Sequence, residues 1–170
     1  MLPSLRQFAV TIIALLLLPA TVLADFEVML PIVSTQAGSY SVEGGFGKTQ
    51  ASQFLIDTGA GMSTLSRDLF KAVKRTHHVE PVRKIAARLA NGQLLKAQVY
   101  RIADFRLGKQ CRIGAVEVAV MPNAGRNIIG MDILAKTAPF GLNLDKPALA
   151  VSQCELMELP PRAEVSLAPR

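Results

Sequence analysis

Hydrophobic and polar residues alternate in short runs along most of this 170-residue chain, and turn residues break the runs at intervals that suit strands. Residues 27–33 and 39–43 form the first two runs. Gly44, Gly45, Phe46 and Gly47 read as a Gly-rich turn behind them, since glycines there would be costly inside a helix. Residues 53–56 make a third strand. Ser66 is placed to cap a helix: Asp68 complements the dipole in its first turn, Leu69, Phe70 and Val73 supply a buried stripe, and the helix should stop near Thr76. Pro81 breaks the stretch behind the helix. Strand character resumes over residues 85–89, and Asn91-Gly92 marks a hairpin tip, because both residue types tolerate positive φ.

From Leu95 to Leu107 apolar side chains fall at every second position (Leu95, Ala97, Val99, Ala103, Phe105, Leu107), with Arg101 as the exception. This reads as one long half-buried strand. Gly108-Lys109 turns the chain into another strand, where Val116, Val118 and Val120 alternate with Ala115, Glu117 and Ala119. Residues 122–125 are a loop, 127–130 a short buried strand and 131–135 about one helical turn. Residues 142–144 and 148–151 are closing strands around Asp145-Lys146-Pro147.

Composition adds that the core must be aliphatic, because aromatics make up only 5% of the chain and Trp is absent. The length suits one domain, expected over residues 25–159. Ahead of it, residues 1–24 read as an export leader: Arg6, then an apolar run from Phe8 to Leu18 broken only by Thr11, then Val22-Leu23-Ala24 as a cleavage site. The rival reading is a retained anchor that tethers the protein to a membrane, facing the periplasm; Pro19 and Thr21 weaken it. Cleavage gives an exported protein, periplasmic or secreted. The tail over residues 160–170 has too little apolar surface to order itself.

Arg6 is the one ionised side chain of the leader, so cleavage takes the net charge from +6 to +5. The basic residues are spread over a helix and a loop-to-strand region with no aromatics interleaved, which argues against a nucleic-acid partner. Cys111 and Cys154 both fall in the exported part, where they are expected to pair as a disulfide; the alternative is two separate buried thiols. Neither they nor His77 and His78 match a zinc spacing, so no metal site is expected.

The candidate chemistry lies in Phe54-Leu55-Ile56-Asp57-Thr58-Gly59-Ala60-Gly61. A strand running into a tight loop would hold the Asp57 carboxylate rigidly, Thr58 could lock the loop through its hydroxyl, and the glycines would let a substrate backbone approach. Taken alone, Asp-Thr-Gly is also what an Asx-turn at a strand end looks like.

With the Asn91-Gly92 hairpin and Gly125-Arg126-Asn127-Ile128-Ile129-Gly130-Met131-Asp132-Ile133-Leu134, in that order and spacing, the segment resembles the retropepsins. These are the single-domain aspartic peptidases of retroviruses and their cellular and bacterial relatives. The resemblance implies an all-β fold, a closed and mostly antiparallel barrel with one or two short helices. It implies a catalytic Asp57 with Thr58 and Gly59, a flap formed by Ala90, Asn91 and Gly92, further substrate contacts from Ala60, Gly61 and Ile128, and no cofactor. The chemistry requires two carboxylates sharing a proton. Asp25, Asp68, Asp104, Asp132 and Asp145 lack a following Thr-Gly or Ser-Gly, so the second Asp57 is expected from a second copy in a homodimer acting on polypeptides. Viral members usually carry Asp where this chain has Gly61 and Arg where it has Met131. Loss of both charges together leaves neither stranded and separates the chain from the viral pattern. The competing reading keeps the fold as a silent peptide-binding module of the cell envelope.

Overall fold

The computed structural model describes residues 26–35, 37–88, 91–121 and 125–157. The leader, the tail, Ala90 and the loop at 122–124 lie outside them. Among the described residues no helix is long and apolar enough to cross a membrane.

The backbone forms eleven strands: β1 (Val28–Ser34), β2 (Tyr40–Phe46), β3 (Ser52–Ile56), β4 (Thr64–Leu65), β5 (Val79–Arg88), β6 (Leu94–Leu107), β7 (Cys111–Val120), β8 (Asn127–Ile129), β9 (Phe140–Asn143), β10 (Ala148–Val151) and β11 (Glu155–Leu156). Helix α1 spans Arg67–Thr76; α2 spans Met131–Leu134 and runs on into a 3-10 turn, Ala135–Thr137. Along the sheet the order is β5-β6-β7-β4-β8-β3-β2-β1-β10-β9, and a further β2–β6 pairing closes β2, β3, β8, β4, β7 and β6 into a six-stranded barrel. Pairing is antiparallel except for β3 with β8 and β4 with β7. The expected all-β barrel with two short helices is therefore the observed one.

Its interior is filled by aliphatic residues from every wall, with Phe46, Phe54 and Phe105 at the centre. Phe105 meets the other two rings at centroid distances of 5.0 and 5.5 Å, the second edge-on, as aromatic quadrupoles favour. Helix α1 begins where Ser66 accepts a hydrogen bond from Leu69 N and seats Leu69 and Val73 against this core.

Three local expectations are corrected. Gly44, Gly45 and Phe46 belong to β2 rather than to a turn. A side chain at Gly44 would press on the Phe54 ring at 3.1 Å and on Arg106 O at 3.2 Å, so the glycine permits close strand approach and the turn falls later, at Gly47. Pro81 sits inside β5 instead of breaking it: β5 is a terminal strand of the sheet, and the register slips between Pro81 and Arg83. Arg88 pairs with Leu94, a register centred on residue 91 that a two-residue Asn91-Gly92 turn would not give, and the Asn91 side chain accepts from Gln93 N.

Strand β6 is also more than one half-buried ribbon. Tyr100 and Ile102 pack toward the barrel core, whereas Ala97 and Val99 pack on the other face with Ala119, Met62, Ile85 and Met121 as a second small core. The register shifts between Ile102 and Phe105, where Asp104 takes a φ of 61°, and beyond this bulge Phe105 and Leu107 face the barrel. Arg101 no longer interrupts a pattern. It lies on the second face and pairs with Glu117, which also binds Arg83. Hydrogen bonds from Arg83 and then Arg101 hold the Glu117 carboxyl below its ordinary range.

Thr64, on β4, has a buried hydroxyl with no hydrogen-bond partner among the described residues. Replacing it with Val keeps the shape and removes the desolvated oxygen, so Thr64→Val should stabilise the fold by about 1 kcal/mol, or raise Tm by about 3 °C. Thermal denaturation followed by circular dichroism checks this, and a lowered Tm would show that the hydroxyl has a partner in solution.

Candidate active site

Asp57 follows β3 directly. Phe54 and Ile56 pack into the core, so Gln53, Leu55 and Asp57 share the opposite face of the strand. The loop is held from three sides. Asp57 N donates to Ile129 O at 3.0 Å, Ala60 N donates to Asp57 O at 3.2 Å, and Met131 N donates to Ala60 O at 2.8 Å. The Asp57 carboxylate accepts from Gly59 N at 2.9 Å through Oδ1. That carboxylate bond fills the locking role expected of the Thr58 side chain. Thr58 is exposed, and its hydroxyl makes no hydrogen bond within the described residues.

The floor of the loop is β8, which runs between β3 and β4. Ile128 stands level with Leu55 on one side and Thr64 on the other. Gly130 ends this strand against the loop: a Cβ there would lie 2.6 Å from Ala60 O and 2.9 Å from Met62 C, so only glycine fits. Ile128 thus lies on the strand beside β3, from which the loop of Asp57, Thr58, Gly59, Ala60 and Gly61 emerges. Asn91 and Gly92 occupy the tip of the β5–β6 hairpin, and no hydrogen bond among the described residues joins that tip to the Asp57 loop.

Three residues to which the sequence assigned no bonding role complete the framework, Asn127 and Asp132 from within the Gly125–Leu134 motif and Ser63 from outside it. Asp132, in the first turn of α2, accepts from Ser63 Oγ at 2.6 Å, from Ser63 N at 3.0 Å and from Ile133 N at 2.9 Å. Ser63 Oγ in turn accepts from Gly130 N at 2.9 Å, so one buried hydroxyl bolts the end of the Asp57 loop to the β8–α2 junction. Asn127 accepts from Ser66 N at 2.9 Å and donates to Gln53 O at 3.2 Å, tying β8 to the helix cap and to β3. The available hint was that Asp132 is an acid at a helix start; its partner 69 positions away left no local mark.

The two cysteines meet where β11 lies against β7, but as free thiols, so the expected disulfide is not formed in this structure. Burial, reinforced by a hydrogen bond with Cys154, pushes the Cys111 thiol well above its ordinary range. Asp104 and Glu155 clasp Arg112 nearby, and the hydrogen bond to Asp104 is the main reason the guanidinium holds its proton more tightly. His77 closes α1, its Nδ1 2.9 Å from Thr76 Oγ1.

The family model for "gag-polyprotein putative aspartyl protease" matches residues 42–136, more than half of the chain and the stretch that runs from β2 through the Asp57 loop to α2. The chain belongs to this aspartyl protease family. Its fold is similar to that of a retropepsin-like aspartic protease from Rickettsia conorii, with a TM-score of 0.52 at 14% identity, over 76% of this chain and 97% of that one. No curated protein sequence matches the chain significantly. Family and fold agree on a retropepsin-like aspartyl protease, and Asp57 lies in the chain's only Asp-Thr-Gly segment.

Proposed function

We propose that this protein is an exported aspartic endopeptidase whose active site is made by Asp57 from each of two copies. The observation that carries the reading is the half-buried Asp57 carboxylate, fixed by Gly59 N in a loop that β8 and the Ser63–Asp132 bond hold rigid. One carboxylate takes a proton from water as the water oxygen attacks the scissile carbonyl. Its protonated mate gives a proton to the carbonyl oxygen. The resulting gem-diol collapses as the amide nitrogen is protonated and the C–N bond breaks, returning the shared proton to the pair.

Two features support a dimer. Thr58, Gly59 and Gly61 present an exposed loop to a neighbour, with the Thr58 hydroxyl still available. The two ends of the sheet also differ in kind. Strand β5 carries Pro81 and the charges of Glu80, Arg83, Lys84 and Arg88, which guard an edge against pairing. Strand β9, Phe140–Asn143, has no such guard, and Leu142 within it and Leu144 just beyond are exposed. A second copy pairing along β9 would cover both leucines. Export completes the reading: removal of residues 1–24 delivers the chain to an oxidising compartment, where exchange with a disulfide-bearing oxidant would join the adjacent Cys111 and Cys154.

Shared ownership of the site has a direct test. Wild-type and Asp57→Asn protein are mixed in varying proportions at constant total concentration, allowed to re-equilibrate, and assayed on a quenched fluorescent polypeptide. Mixed dimers hold a single carboxyl, so activity should fall in proportion to the square of the wild-type fraction. A linear fall would mean that each chain works alone, and the two-copy site would have to be abandoned.

A further inference from the structure

A cavity of about 530 Å³ opens beside the Asp57 strand, lined by Thr35, Ser41, Gln53, Leu55, Arg126 and Asn127 among others. Gln53 and Leu55 share their face of β3 with Asp57, so by strand rise the cavity starts about 7 Å from that residue and extends about as far again. A substrate lying extended over Asp57 would place here a side chain within about four residues of the scissile bond.

The chemistry of the lining is one-sided. Arg126 is its single ionisable residue, is exposed, and takes part in no ion pair among the described residues. The side-chain carbonyls are already engaged. Gln53 Oε1 receives Ser41 Oγ at 3.1 Å, Thr35 Oγ1 receives Ser39 N at 3.2 Å, and Asn127 spends its carbonyl on Ser66 N and its amino group on Gln53 O. What is left to offer a guest is mainly donors: the Arg126 guanidinium, the Gln53 amino group, the second Asn127 N–H and the Thr35 hydroxyl, against the lone pairs of Ser41 Oγ. Leu55 supplies an apolar wall for methylenes.

We infer that this cavity is a specificity pocket for an acidic side chain, Glu above all, with Arg126 as the residue that recognises it. A carboxylate meets a charged donor fork and further donors, while a Lys meets a like charge. A Gln side chain keeps the hydrogen bonds and loses the charge. The inference rests on the proposed peptidase reading and adds to it a substrate class. In a twofold dimer the pocket occurs twice, once on each side of the cut, so the preference should appear at matched positions on both sides.

The test is a cleavage profile of the full protein on a peptide library in which Glu, Gln and Lys are exchanged at each of four positions on either side of the cut. Wild type should favour Glu over Lys about fivefold at one matched pair of positions, a modest ratio because Arg126 is solvent-exposed. Arg126→Glu should invert that ratio, and Arg126→Gln should flatten it. A wild-type profile indifferent to Glu and Lys, or one left unchanged by Arg126→Glu, overturns the inference while leaving the peptidase assignment standing. If wild type cuts no peptide, the peptidase assignment fails instead. Fluorescence anisotropy of labelled Glu- and Lys-containing peptides then decides the pocket: tighter binding of the Glu peptide, reversed by Arg126→Glu, supports it, and equal binding sinks it.

Discussion

Asp57→Asn protein should fold and melt like wild type while its peptide hydrolysis falls by about a thousandfold or more, the usual scale for losing a positioned proton-transfer group. Folding should survive because the substitution preserves shape and one oxygen. Asn Oδ1 can still accept from Gly59 N, the bond that now spans 2.9 Å, and the bonds of residue 57 to Ile129 and Ala60 use only the main chain. Catalysis should not survive, because an amide neither takes a proton from water nor passes one to a carbonyl. The measurement pairs initial rates on a quenched fluorescent peptide with a thermal melt on the same sample. Matching melts with matching rates would remove Asp57 from the chemistry altogether, whereas a collapsed melt would reassign it to the scaffold.

Gly130→Ala should have the largest effect on stability, a loss of about 3 kcal/mol, seen as a fall in Tm of about 10 °C. The added methyl would sit 2.6 Å from Ala60 O and 2.9 Å from Met62 C. Those are backbone atoms of the Asp57 loop, and no rotamer can move them aside. Relief requires the loop to lift off β8, which stretches the Gly130 N–Ser63 Oγ and Met131 N–Ala60 O bonds of 2.9 and 2.8 Å. Gly61→Ala is the matched control. A Cβ there meets nothing within 4 Å in its own chain, so at a concentration low enough to keep copies apart its Tm should stay within about 1 °C of wild type. Equal melts for the two variants would show that the loop does not pack tightly on β8.

Much of this architecture was legible in the residues. Strand β3, helix α1 with its Ser66 cap, β7 with its valine alternation, and the β8–α2 segment appear near the positions their periodicity and capping residues indicate. What could not be read depended on neighbours distant in sequence. Gly44 looks like a turn residue until the Phe54 ring and Arg106 carbonyl arrive beside it. Pro81 looks like a breaker unless its strand is known to be at the end of the sheet. In β6, residues of two different cores happen to alternate in one apparent phase, and the bulge at Asp104 is what separates them. Strands β4 and β11, two residues each, are too short for any period to show. At the site itself Asp57 was legible because its chemistry is local. Asp132 and Ser63 act on it through a fold-level contact, so neither residue announced its role.

The passage of β8 between β3 and β4 also governs when competence can arise during synthesis. The bonds that seat the Asp57 loop from outside reach forward to Ala119 and to residues 127–132, the Ser63–Asp132 link spanning 69 positions. While the chain is still emerging, those partners do not exist, and the loop closure that brings them in is entropically demanding and slow. A nascent chain carrying Asp57 but not yet Ile129 therefore lacks the seat of that loop. Under the proposed peptidase reading, the order of residues along the polypeptide would act as a timer, holding back activity until the last third of the molecule has been made and threaded into place.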